Sequence, residues 1–83
     1  MFEVRFTKQA SKDVAELSAK LREKLKRLCV EVVSKKPFSG KRLLGDLQGS
    51  FSLRLTLTDR VVYSIDRKAK IVYIERAKTH YGE

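Results

Sequence analysis

The chain has 83 residues, with 19 lysines and arginines against 10 acidic residues and a formal charge of +9. That length predicts one domain, residues 1–83, and 42% hydrophobic content argues against global disorder. Apolar runs such as Val61-Val62-Tyr63 are far too short for a membrane span, no secretory signal pattern opens the chain, and the lone Cys29 rules out an internal disulfide or a multi-cysteine zinc site. The expected compartment is the cytoplasm. The expected partner of so basic a chain is an anion-rich surface, nucleic acid before membrane.

Residues 2–6 alternate apolar and charged, so Phe2, Val4 and Phe6 share one face of a strand. Thr7 can then cap a helix by accepting from an unpaired backbone donor. Residues 8–36 contain no glycine or proline. Within them Ala10, Val14, Leu17, Leu21, Leu25, Leu28, Cys29, Val32 and Val33 trace a helical stripe. One unbroken helix is long for so small a core, and Ser18 is a plausible second cap. The reading is a helical hairpin. Cys29 lies on its apolar stripe as a core thiol, not a nucleophile.

Pro37 ends the helical region, and Gly40, Gly45 and Gly49 punctuate a loop. The period then becomes two. Phe51, Leu53, Leu55 and Leu57 alternate with Ser52, Arg54, Thr56 and Thr58, which predicts a half-buried strand. A turn at Thr58-Asp59 leads to a strand over residues 60–66. A turn over residues 67–70 leads to a last strand from Ile71 to about Arg76. Short turns imply antiparallel pairing. The predicted class is α+β: an N-terminal strand, a helical hairpin, then a three-strand antiparallel meander with the helices packed on one face. On the other face stand Arg54 and Arg60, whose guanidinium forks suit phosphate. Ile71, Val72, Tyr73 and Ile74 are all apolar, so the last strand, and with it Arg76, cannot be phased.

This order of elements resembles the RelE/ParE superfamily of bacterial toxins, and most of all its YoeB/Txe branch. The residues that carry the resemblance are Leu44-Gly45-Asp46-Leu47-Gln48-Gly49, Phe51-Ser52-Leu53-Arg54-Leu55, the run from Asp59 to Asp66, and the ending Lys78-Thr79-His80-Tyr81. The N-terminal half matches in pattern only. The resemblance implies a toxin of a type II toxin–antitoxin system. Its activity would be ribosome-dependent cleavage of messenger RNA in the A site, without metal or other cofactor, leaving a 2′,3′-cyclic phosphate. The implied partners are a cognate antitoxin, the ribosome and messenger RNA, with no membrane.

By the same resemblance Arg60 stabilises transition-state charge, His80 is the general acid and Tyr81 stacks on or orients the nucleotide. Lys78 and Arg54 contact phosphate. The YoeB branch carries a glutamate shortly before its Leu-x-Gly segment. Here that stretch is Ser39-Gly40-Lys41-Arg42, without an acid. The RelE branch has lysines in this region, so Lys41 becomes the candidate base, with Arg42 beside it lowering its pKa and binding RNA. The alternative assignment makes His80 the base and Tyr81 or a lysine the acid. Lys24 and Arg27, on the basic face of the second helix, are candidate contacts to ribosomal RNA. Two other readings remain: a ParE-like inhibitor of DNA gyrase without nuclease activity, and a non-catalytic basic RNA-binding module.

Overall fold

The structure, a computed structural model, describes residues 1–43 and 49–79, with side chains through Ala77. Strand β1 (Glu3–Phe6) leads into α1 (Lys8–Ala15). Thr7 caps α1, its Oγ1 accepting from the Ala10 backbone N–H at 3.1 Å. Ser18 caps α2 (Ala19–Leu28) in the same way, accepting from the Leu21 N–H at 3.2 Å. Each cap satisfies an amide that the first helical turn leaves unpaired. The helical path then widens into a π-turn over Cys29–Val33, where the Ser34 N–H donates to the Cys29 carbonyl and the Ser34 hydroxyl to that of Val30. The expected hairpin is therefore present, with its break at Ser18. Among the described residues no helix is long and apolar enough to cross a membrane.

Pro37 opens a 3₁₀ turn (Pro37–Ser39), followed by β2 (Lys41–Arg42), β3 (Ser50–Arg54), β4 (Arg60–Asp66) and β5 (Ile71–Thr79). The sheet order is β1-β5-β4-β3-β2. β1 runs parallel to β5, and the other neighbours are antiparallel. The two helices carry the chain from β1 at one edge of the sheet to β2 at the other, so that β5 later closes beside β1. The expected three-strand meander thus gains a fourth antiparallel member, β2. Two residues are too few to show a period, so β2 is invisible in the sequence.

The predicted strand through Thr58 stops at Arg54. Thr56 takes over the local hydrogen bonding: its Oγ1 accepts from the Thr58 and Asp59 amides at 3.2 and 2.9 Å. A side chain that satisfies amides this way competes with the strand ladder. Leu55 remains buried, while Leu57, expected on the core face, stands 89% exposed at the turn.

Ala10, Leu17, Leu25, Cys29 and Val33 of the helical half pack on Phe51, Val61, Tyr63, Val72 and Ile74 of the sheet and on Leu55 just past β3. A buried aliphatic side chain of this kind contributes about 1.5–3 kcal/mol. Cys29 is a core thiol, and burial pushes its pKa up to about 11. Val72, Ile74 and Ala77 face the helices, which phases the last strand.

Candidate nucleic-acid interface

The face of the sheet turned away from the helices carries the chemistry. Phe51 and Tyr63 point into the core, so alternation sends Ser50, Ser52, Arg54, Arg60, Val62 and Ser64 to the opposite side. Arg54 ends β3, Arg60 opens β4, and the two are direct antiparallel partners. Like charges placed directly across a strand pair destabilise it. In the next row Lys41 of β2 pairs with Ser52, and Ser52 with Val62. The register therefore gathers Lys41, Arg54 and Arg60 around Ser52 on one face.

Ser52 anchors this group. It is 1% exposed, and its Oγ accepts from Arg60 Nε at 3.1 Å. The guanidinium is thereby oriented by a neutral hydroxyl. Among the described residues Arg60 makes no ion pair, and its Nη groups have no partner. A pre-aimed fork of donors with undiminished charge is suited to a phosphate oxygen. Ser52 and Val62 are both buried on this face, so its centre is covered and not bare as alternation alone suggested.

Tertiary contacts behind β2 hold Lys41 in place. Tyr63 stacks on Phe51 with centroids 5.7 Å apart, and its buried hydroxyl donates to the Pro37 carbonyl at 2.6 Å. Burial pushes the Tyr63 phenol up to about 12. Gly40 passes so close that a β-carbon there would overlap the Tyr63 hydroxyl and lie 3.0 Å from the Ser52 carbonyl. The glycine expected to be simple loop punctuation is what lets β2 approach the sheet.

Sequence comparison finds no matching family profile and no matching curated protein. Solved structures do match. A chain of the toxin–antitoxin complex RelBE2 from Mycobacterium tuberculosis is 32% identical, with a TM-score of 0.85 over 94% of this chain and 96% of that one. The chain belongs to the RelE/ParE toxin superfamily. A YoeB/ParE toxin from Agrobacterium tumefaciens shares the fold at 24% identity and TM-score 0.85, covering 96% of this chain and all of that one. The RelBE complex of Escherichia coli shares it at 23% identity and TM-score 0.78, covering 95% and 96%.

In this RelE/ParE chain not every candidate basic residue reaches the same place. Arg42, next to Lys41, faces the other way, its guanidinium 6.0 Å from the centre of the Phe51 ring. Alternation along β2 separates the two neighbours by a full sheet thickness. Lys24 and Arg27 are exposed on α2, on the helical side of the molecule. His80, Tyr81 and most of the Leu44–Gly49 motif lie outside the described residues, as does the Lys78 side chain. The backbone of Thr79, the residue before His80, pairs with Arg60.

Arg76, unphased in the sequence, turns to the helices. Its Nε donates to Asp13 Oδ2 at 2.8 Å, and the Ala77 N–H donates to the same oxygen at 3.0 Å. Asp13 is a buried carboxylate that the sequence reading passed over, although it sits between Ala10, Val14 and Leu17 on the apolar stripe. An acid at a stripe position is itself a signal of a buried partner. Ser52 was also missed. Its place beside Arg60 comes from cross-strand register, which the sequence does not display.

Proposed function

We propose that this toxin is a ribosome-dependent endoribonuclease that cuts messenger RNA in the A site. The observation that carries the reading is the Arg54–Arg60 cross-strand pair, joined on its face by Lys41 and oriented by Ser52. Two arginines directly opposed cost stability unless an anion lies between them. A polyanion threaded over that face supplies one.

The chemistry needs side chains alone. The ribose 2′-hydroxyl gives its proton to a general base on this face as its oxygen bonds to the adjacent phosphorus, and Arg60 with Arg54 stabilises the added negative charge on the phosphorane. The bond to the 5′-oxygen breaks, and His80, as the proton donor, returns a proton to that leaving oxygen. The products are a 2′,3′-cyclic phosphate and a free 5′-hydroxyl. Lys41 and Lys78 offset phosphate charge, and Tyr81 stacks on the nucleotide. Thr79 pairing with Arg60 supports this assignment, since His80 follows Thr79 in the chain. The partner expected in the resting cell is a protein antitoxin, as in the RelBE and YoeB–YefM toxin–antitoxin complexes among its structural neighbours.

The test adds purified toxin to ribosomes programmed with a defined message. Cleavage within the A-site codon is expected, with Arg60→Ala and His80→Ala each lowering the rate by about 100-fold or more. Full activity in both folded variants removes these residues from the mechanism. One structural neighbour is named a YoeB/ParE toxin, which keeps gyrase inhibition as the second reading. Loss of supercoiling in a gyrase assay, without RNA cleavage, decides for it.

A further inference from the structure

Glu75 brings a carboxylate onto the same face as the arginines, from an unexpected strand. The pairing of β4 with β5 shifts register here: Val62 pairs with Arg76 and Tyr63 with Ile74, which leaves Glu75 as the extra, unpaired residue. Such bulges re-aim side chains and recur beside active sites. Arg76 turns to Asp13 on the helical side, and Glu75 turns to the other. Its side chain crosses over β4 to β3, where the Ser50 hydroxyl donates to Glu75 Oε1 at 3.1 Å.

Ser50 and Ser52 are two residues apart on one face of β3 and hold opposite charges: Ser50 the Glu75 carboxylate, Ser52 the Arg60 guanidinium. Successive same-face positions on a strand are about 6–7 Å apart. The two serines thus keep an acid and a cation close without letting them pair. Among the described residues Glu75 makes no ion pair, and its Oε2 has no partner. A carboxylate that accepts from one neutral donor keeps an oxygen able to accept a further proton. Among the described residues the other charged or titratable groups on this face are Arg60, Lys41, Arg54, Asp66 at the end of β4 and, at the β1 edge, the Glu3–Arg5 ion pair beside Tyr73.

We propose that Glu75 is the general base of the cleavage reaction. Its carboxylate takes the proton of the ribose 2′-hydroxyl as the 2′-oxygen bonds to phosphorus. The 5′-oxygen leaves with a proton from the general acid, and protonated Glu75 returns its proton to solvent. Ser50 is the positioning residue that holds the carboxylate over β4, and Lys41 is left as a charge partner of the phosphate. This inference rests on the nuclease reading above.

The experiment measures single-turnover cleavage on programmed ribosomes across pH, alongside ribosome affinity and thermal melting. Glu75→Gln is expected to lower the rate by about 100-fold or more while binding is retained, and to abolish the acid limb of the wild-type pH profile. Ser50→Ala is expected to lower the rate by about 10-fold, with Ser50→Thr restoring it. If Glu75→Gln melts early, Ser50→Ala and its rescue carry the test. A Glu75→Gln rate within threefold of wild type, or an unchanged pH profile, overturns the assignment. Loss of the acid limb in Lys41→Met with Glu75→Gln active gives the role to lysine and overturns the assignment. A wild-type protein that binds ribosomes and cuts nothing overturns the nuclease reading and this proposal together.

Discussion

Arg60 and Arg76 lie on the same strand pair, in rows two residues apart along β4, and have opposite fates. Arg76 turns under the helices onto Asp13, a carboxylate only 5% exposed that also accepts from the Ala77 amide and from Gln9. Arg60 turns to the open face and is held by the Ser52 hydroxyl. The first guanidinium is neutralised and serves to dock α1 on β5. The second is aimed but not neutralised. Partner type, more than burial, separates a structural arginine from one available to a ligand: a carboxylate consumes the charge, and a hydroxyl only sets its direction.

The sharpest way to break this contrast is to remove each partner in turn. Asp13→Ala leaves the Ala77 amide and the Arg76 guanidinium without their acceptor and should cost about 3 kcal/mol in urea denaturation. For a domain this small that is a large share of the total. Arg60→Ala should cost less than about 1 kcal/mol by the same measurement, since one exchangeable hydrogen bond is lost. Equal losses in the two variants would erase the distinction drawn here.

Gly40→Ala tests how the open face is assembled. The added β-carbon meets the Tyr63 hydroxyl and the Ser52 carbonyl, so β2 must move away from the sheet. A loss of about 2 kcal/mol is expected from overpacking, together with reduced protection of the β2–β3 amides in hydrogen exchange. Unchanged protection would mean that Lys41 does not depend on this close approach.

The smallest effect is in the acid limb of stability. Burial alone pushes the Asp13 carboxyl up, but hydrogen bonds from Arg76, the Ala77 amide and Gln9, with the charge of Arg76, pull it net below its ordinary value. A lowered folded pKa means stability that is present above the ordinary aspartate value near ~3.9 and lost as pH falls through the folded value. Denaturation midpoints followed below about pH 4 should show this loss in wild type and a flatter profile in Asp13→Asn. A parallel fall in both proteins would assign the acid sensitivity to other carboxylates.

Local patterns were legible wherever one residue carried its own reason. Thr7 and Ser18 were readable as caps because a hydroxyl before an apolar helical stripe has few other uses there. The strand over residues 60–66 was readable from its alternation and from the turn on either side. Leu57 misled because its alternation continued past the point where Thr56 captures the amides that a strand would need. Arg42 misled because adjacency in sequence means opposite faces in a strand.

For this chain, periodicity, caps and charge alone determined an α+β scaffold with arginines on the face away from its helices. Those signals are local, so they survive in a linear string. Register decided the rest: which arginine meets Asp13, which meets Ser52, and how a bulge in β5 turns Glu75 toward Ser50. These pairings join residues up to 64 positions apart, as between Asp13 and Ala77, and depend on how strands align in space. A one-residue slip in that alignment would send every one of these side chains to the other face.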